Sequence, residues 1–406
     1  MHRKLFRLSL LIILVLSSQA FSQSLYFPQT GNWETRAAAQ AGFDPVKLRE
    51  AIAFAVANES KAPRDMELAQ AQTFGREPYG EPIGHLKTRG DMTGIILRNG
   101  YIVAEWGEPF RVDMTHSVTK SFLTVVVGLA FDRQLISELD SPVSVSMAPI
   151  SVFSEYRDSK NAERFGKPTL VDLFESEHNR KISWDDLLRQ TSDWEGTLWG
   201  KPDWADRPDR DSSTWLTRKR SEPGISWEYN DVRVNVLALA ALNIWRRPLP
   251  KVLREFVMEE IGASQTWRWH GYENSFVLID GDVMQSVSGG GHWGGGMFIN
   301  ARDMARFGLL IAREGNWSGK QIISKKFLSR AETPTAPQPT YGYMNFFLNT
   351  DKKQYASAPE GVIAFLGNGT NMVYIDRKSD LVIVARWIEN GKIDEFLGKI
   401  YGSLNR

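Results

Sequence analysis

Ser117-Val118-Thr119-Lys120 is the one Ser-x-x-Lys tetrad in the chain. On a helix, residues i and i+3 share a face, so the Ser117 hydroxyl and the Lys120 amine would point into the same space. A serine hydroxyl is a poor nucleophile at neutral pH, and a neutral amine within hydrogen-bond reach can take its proton. The amine is neutral only where burial or a second cation lowers its pKa. A helix N-terminus adds partial positive charge and free N–H groups where an acyl oxyanion would form. The bland alternative is a capping serine and a solvated lysine, and the tetrad alone does not separate the two.

The elements around the tetrad do more. Leu123-Thr-Val-Val-Val-Gly-Leu-Ala-Phe131 continues it as an apolar run long enough for a buried helix. Before it, residues 92–98 and 101–106 flank Asn99-Gly100, and a two-residue Asn-Gly turn predicts a β-hairpin. A hairpin leading into a serine-bearing helix predicts a sheet with that helix packed on it. Residues 44–57 read as a surface helix capped by Asp44 with Pro45 at its first position. Residues 61–89 hold Pro and Gly and read as a loop.

Residues 140–225 mix short helices with loops rich in Trp, Asp and Pro. Ser183 and Asp186 form a capping-box spacing. Trp194, Trp199, Trp204 and Trp215 read either as core and lid packing or as an aromatic wall over a cleft. Glu222-Pro-Gly is a turn that delivers Tyr229 to the end of a loop, and Asp231 is the expected N-cap of a helix over 232–242. Residues 286–298 are glycine-dense on both sides of His292-Trp293. No Gly-Lys-Ser/Thr accompanies them, so they read as backbone bent tightly at a cleft and not as a phosphate loop. A helix over 301–312, strands over 342–348, 371–375 and 381–386, a loop over 365–370 and a last helix over 393–401 complete the pattern. Strands at both ends with helices between predict an α/β (α+β) fold whose sheet is closed by both termini, with a mostly helical second lobe.

Composition excludes several function classes. The chain has 406 residues, 42% hydrophobic and 24% charged, with a formal net charge of +1. It can bury a real core, and no basic surface recommends nucleic acid as a partner. There is no cysteine, which excludes disulfides, thiolate-bound metals and a catalytic thiol. The six histidines show no zinc-binding spacing, so neither metal nor organic cofactor is expected. At the N-terminus, Arg3, Lys4 and Arg7 precede the apolar run 8–16, and Ala20-Phe-Ser22 fits a small-x-small cleavage rule. Residues 1–22 are therefore expected to be a signal peptide, and the protein periplasmic or secreted. The apolar run is too short to span a bilayer comfortably, so no stable membrane span is expected after cleavage.

Four segments in order resemble the serine β-lactamase and penicillin-binding-protein superfamily. They are most similar to the class C β-lactamase-like branch with its family VIII esterases and aminohexanoate-dimer hydrolases. Ser117-Val-Thr-Lys120 matches Ser-x-x-Lys, and Glu222-Pro-Gly-Ile-Ser-Trp-Glu-Tyr-Asn-Asp231 matches a Pro-Gly…Tyr-x-Asn segment. Residues 294–308 match a Gly-Gly…Arg-Asp-x-Ala-Arg-Phe stretch, and residues 367–376 match the loop and strand before a final hairpin. The resemblance implies a β-lactamase/transpeptidase-like fold, with residues 23–90 an N-terminal extension and 91–403 the hydrolase domain, its helical lobe approximately 140–285. It implies Ser117 as nucleophile, Lys120 as the adjacent amine, and Tyr229 as the phenol relaying a proton between Ser117 and the leaving group. A second oxyanion donor would come from the strand edge near Asn368, among Gly367, Asn368 and Gly369, beside the Ser117 N–H. Asp231, His292 and Trp293 would border the cleft.

Two departures are visible. Asp231 stands where the family carries Asn, and an ionised Asp cannot donate a hydrogen bond to substrate. The family's Lys-Thr-Gly has no literal counterpart, which weakens the case for β-lactams and favours a neutral ester or amide, with a β-lactam or a D-amino-acid peptide as the further candidates. The same departures motivate a non-hydrolytic sensor or binding module for cell-wall peptides.

Overall fold

The computed structural model describes residues 25–153 and 170–405. The expected signal peptide over 1–22 lies outside the described residues. The main sheet is six-stranded and antiparallel, in the order Phe347–Leu348, Ile363–Gly367, Asn371–Asp376, Leu381–Arg386, Thr93–Arg98, Tyr101–Trp106. Both chain ends therefore contribute to one sheet. The hairpin is as expected, with Asn99 at φ 54° and Gly100 at φ 85°, the two left-handed positions of its turn.

Apolar residues cover both sheet faces, so its central strands read as continuous apolar runs. Along Leu381–Arg386, Leu381, Ile383 and Ala385 face one core with Phe43 and with Leu48, Phe396 and Ile400 from the helices Pro45–Ala57 and Ile393–Ser403. Val382 and Val384 face the other core, with Phe122 of the helix Thr119–Asp132 and Phe307 of the helix Ala301–Ala312. Gly308 lets the latter helix press on the sheet: a Cβ there would lie 2.6 Å from Val373 and 2.8 Å from Val382.

Three expectations change. Residues 365–370 are not simply a loop, because Ile363–Gly367 is a strand paired on both sides. The expected strand over 342–348 shrinks to Phe347–Leu348, since Met344 and Asn345 take φ of 39° and 64°, which no strand tolerates. The loop expected over 61–89 contains the helix Met66–Phe74, whose N-cap Asp65 accepts from the Glu67 and Leu68 N–H groups. Pro and Gly further along that stretch masked a short capped helix.

A second sheet, absent from the sequence reading, runs Asp113–Met114, Gly296–Ile299, Arg268–Ile279, Ile150–Val152, Leu170–Val171, with Asp282–Val287 also paired to Arg268–Ile279. Its long hairpin turns at Asp280 (φ 53°) and Gly281 (φ 88°), an Asp-Gly signal present in the sequence. The helices Thr119–Asp132 and Asp231–Trp245 pack together beneath this sheet, buried on nearly every side. Among the described residues no helix is long and apolar enough to cross a membrane.

Candidate active site

Ser117 sits in a 3₁₀ turn, His116–Val118, that runs directly into the helix Thr119–Asp132. His116 has φ 48°, a left-handed conformation that costs a non-glycine residue on the order of 1 kcal/mol and needs surrounding structure to hold it. That structure is specific. The Thr115 N–H donates to Met297 O (2.9 Å), and the Met297 N–H donates to Thr119 Oγ1 (2.9 Å). Arg386, itself buried, donates to Ile299 O (2.7 Å) and Met114 O (2.5 Å). Asn345 Nδ2 donates to Ser117 O (2.7 Å) and also to Leu366 O, tying the nucleophile turn to the strand Ile363–Gly367. Burial, aided by Arg386 and Lys120, pushes the His116 imidazole down to about 4, so its ring is neutral.

The expected pairing of Ser117 and Lys120 is present: Lys120 Nζ donates to Ser117 Oγ at 2.8 Å and to Gly289 O at 3.3 Å. Lys120 is 0% exposed, and its Nζ lies 2.7 Å from Asp231 Oδ1. The sequence reading had asked for a neutral amine; the structure instead holds a buried ion pair. Asp231 was expected to cap its helix, but the cap is Asn230, whose side chain accepts from the Arg233 N–H at 3.1 Å. This one-residue difference frees the Asp231 carboxylate to turn toward Lys120. Burial would raise Asp231, but Lys120 and Arg207 outweigh it and hold the carboxyl well below the usual range.

Tyr229 lies over the same pair, with its ring centroid 4.9 Å from Lys120 Nζ and 4.9 Å from the Arg207 guanidinium. Burial and Asp231 push the phenol up, while Arg207 and the Ser117 hydroxyl pull less strongly the other way. Tyr229 is therefore a protonated phenol at rest.

Arg207, Asp206 and Glu77, none of them signalled by sequence spacing, complete the cluster together with His292. Arg207 donates to Asp206 Oδ1 (2.5 Å) and Asp231 Oδ2 (3.1 Å). Burial pushes Asp206 up to about 6 despite Arg207. His292 places Nδ1 3.3 Å from Asp231 Oδ2 and Nε2 3.2 Å from Glu77 Oε2. Burial alone would lower His292, yet its bonds to Asp231 and Glu77 raise it to about 9, so the ring carries a charge. Glu77, Asp206 and His292 approach within 4.8 Å of one another. Arg207 and the imidazolium already occupy those oxygens, so the cluster reads as an ion network and not as a metal centre.

A family model described as Beta-lactamase matches residues 87–392, three quarters of the chain. The chain belongs to the beta-lactamase family. As a member it is a serine hydrolase acting on small molecules, with the β-lactamase/transpeptidase-like fold. A protein assigned as 6-aminohexanoate-dimer hydrolase from Bacillus anthracis is similar in structure at TM-score 0.56 and 15% identity, covering 94% of this chain and 89% of the other. A family VIII carboxylesterase is similar at TM-score 0.54 and 14% identity, covering 88% and 97%. EstCE1, a hydrolase with promiscuous acyltransferase activity, is similar at TM-score 0.53 and 14% identity, covering 89% and 99%. No curated protein matches the sequence.

Within this beta-lactamase-family site, Gly367 ends the strand Ile363–Gly367 hard against the nucleophile turn. A Cβ there would lie 2.1 Å from Thr115 O and 3.1 Å from the Ser117 nitrogen. Asn368 follows, its Oδ1 accepting from the Gly369 N–H at 2.9 Å, and Gly369 (φ 69°) lies against Trp387. His292 and Trp293, expected to border the cleft, are 3% and 0% exposed. They stand behind it: Trp293 Nε1 donates to Tyr79 O at 2.9 Å. The four tryptophans divide. Trp194 and Trp199 are buried in the core, while half-buried Trp204 stacks on Trp215 at 5.2 Å. Asn345, Arg207, Asp206 and Glu77 were missed because each reaches the site through tertiary contacts.

Proposed function

We propose that the protein is an exported hydrolase that cleaves a neutral ester or amide through a Ser117 acyl-enzyme. The observation that carries this reading is the line Ser117–Lys120–Asp231, with Lys120 Nζ 2.8 Å from the serine oxygen and 2.7 Å from the carboxylate. Lys120, ion-paired to Asp231, steadies negative charge on Ser117 Oγ as it attacks. Tyr229, held as a phenol, takes the Ser117 proton while passing its own to the leaving oxygen or nitrogen. Oγ bonds to the carbonyl carbon, and the bond to the leaving group breaks when the tetrahedral intermediate collapses. The Ser117 N–H and one N–H from the strand edge at Gly367–Gly369 receive the oxyanion. Water then attacks the acyl carbon, its proton passes through Tyr229 to Oγ, and the acid leaves.

Substrate class follows from charge. The strand Ile363–Gly367 carries no basic residue. Among the described residues, both cations beside Tyr229, Lys120 and Arg207, are already paired with carboxylates. A substrate carboxylate of the kind β-lactams and D-peptides carry has no free partner there. The charged and apolar segments of residues 1–22 support export to the periplasm or exterior.

The test is a panel of short-chain esters, linear amides, nitrocefin and D-Ala peptides, run on wild type and Ser117→Ala together. Ester or amide turnover that falls about a thousandfold or more in Ser117→Ala is expected. Unchanged turnover in that variant sinks the proposal. Labelling by a serine-directed phosphonate without turnover of any panel member would instead make the protein a binding module.

A further inference from the structure

We infer that Glu77, which lies before the family-matched region, is a positioning residue of this active site: through His292 it holds the Asp231 carboxylate on Lys120. The inference rests on the acyl-enzyme reading of Ser117.

Contacts run unbroken from Glu77 to the nucleophile. Glu77 Oε2 is 3.2 Å from His292 Nε2, and His292 Nδ1 is 3.3 Å from Asp231 Oδ2. Asp231 Oδ1 is 2.7 Å from Lys120 Nζ, which is 2.8 Å from Ser117 Oγ. A carboxylate lies close to each ring nitrogen: Nδ1 is hydrogen-bonded to Asp231, and Glu77 faces Nε2 as a charge contact without hydrogen-bond alignment, so both favour the imidazolium. The line runs from a half-buried carboxylate, Glu77, through a buried imidazolium to a buried carboxylate, Asp231, so its charges alternate. Without Glu77 the ring keeps one strong reason fewer to stay charged.

The segment that carries Glu77 is clasped to the site wall. Phe74 stacks on the His292 ring at 4.5 Å. The Ile83 and Gly84 N–H groups donate to Trp293 O at 2.9 and 3.0 Å, and Lys201 Nζ donates to Glu81 O at 2.8 Å. Gly294, at φ 89°, would place a Cβ 2.3 Å from Gly84 O, so only glycine lets the two segments lie this close. The groups facing His292 are Glu77, Asp231 and, at 3.6 Å, Asp206. Arg207 and Lys120 stand behind those carboxylates, and the Arg207 N–H donates to Glu77 Oε2 at 3.4 Å.

The chemical consequence is electrostatic. While His292 is charged, it shares the Asp231 charge with Lys120. When it loses its proton, two buried carboxylates gain a neutral neighbour, and the potential at Ser117 turns more negative where alkoxide and oxyanion must form. The rate therefore falls as pH rises through about 9, where His292 titrates. Removing the Glu77 charge loosens that proton and moves the fall to lower pH.

The experiment measures kcat and KM for an activated ester from pH 6 to 10.5 in wild type, Glu77→Gln, Glu77→Asp and Ser117→Ala, with and without EDTA, and records melting temperatures. A histidine NMR titration of wild type accompanies it, with His292→Asn for assignment. Expected are an alkaline limb near pH 9 that shifts down by about one pH unit in Glu77→Gln through kcat with little change in KM, partial return in Glu77→Asp, and a His292 resonance titrating near 9. A Glu77→Gln profile that superimposes on wild type while Ser117→Ala is dead overturns this inference alone. So does a pH-independent loss that tracks a lowered melting temperature, or a His292 resonance at an ordinary value. Activity lost to EDTA and restored by zinc would make the cluster a metal site. Full activity in Ser117→Ala brings down the acyl-enzyme reading and this inference with it.

Discussion

Two buried ion networks leave the first turn of the helix Asp231–Trp245 in opposite directions. Asp231 joins Lys120, Arg207 and His292 beside Ser117. Two residues on, Arg233 joins Asp193 (2.7 Å), Asp203 (3.2 Å) and Glu228 (3.0 Å), and Arg218 and Arg220 also pair with Asp193. Burial is similar: Asp231, Arg233, Asp193 and Asp203 are all at most 2% exposed. What differs is the kind of cation. The Arg233 network uses arginine alone, which does not deprotonate in proteins. There burial would raise Asp193, but Arg218 and Arg233 pull it down to about 2. The Asp231 network mixes lysine, histidine and arginine, and places Asp206 at about 6 and His292 at about 9. One network is a pin for the loops over 190–222. The other can change its charge within the working pH range, which suits a site that must handle protons.

The sharpest break of this comparison is Arg233→Met. It leaves Asp193 and Asp203 buried with fewer partners, and should cost about 3–5 kcal/mol in urea unfolding while the pH profile of the folded fraction stays as in wild type. A near-neutral result would mean the network is not a pin. Next in size is acid. Asp193 has a folded pKa below its unfolded value, so its contribution is fully present above about pH 4 and is lost as pH falls through about 2. The loss should be about 2 kcal/mol and absent in Asp193→Asn, read by chemical denaturation at pH 5 and pH 2.5. Smallest is the acid limb of catalysis. Below about pH 6 Asp206 gains a proton and Arg207 loses one of its two carboxylates beside Tyr229. Losing that negative charge makes the potential at Ser117 less negative, so the ester rate in wild type should rise by less than about tenfold over that unit, and Asp206→Asn should be flat there. A limb that survives in Asp206→Asn belongs to another group.

Both networks were nearly silent in the sequence. Asp231 was conspicuous only as a departure from Asn, and its assigned role as a cap moved by one residue to Asn230. Arg207, Asp206 and Glu77 lie in loop segments without periodicity, and Asp203 and Asp193 looked like the polar side of Trp-rich loops. By contrast the hairpin at Asn99-Gly100, the capped helix Pro45–Ala57 and the capping box at Ser183 were legible, because each is decided within a few residues. The strand Ile363–Gly367 was not. It is held by partners on both sides and by Asn345, none of which its own five residues announce.

The sequence by itself determined the local chemistry of the nucleophile. Ser117 and Lys120 are three positions apart where a 3₁₀ turn runs into an α-helix, and the apolar run behind them buries whatever faces inward, so helical spacing brings the two side chains to one face. Tertiary structure decided the charge state of that pair. Asp231 arrives from 111 positions downstream, His292 from a glycine loop and Glu77 from a segment upstream of the family-matched region. Burial makes each of those contacts matter, because charges withdrawn from water interact strongly over 3 Å and must be matched by partners that no local spacing can supply.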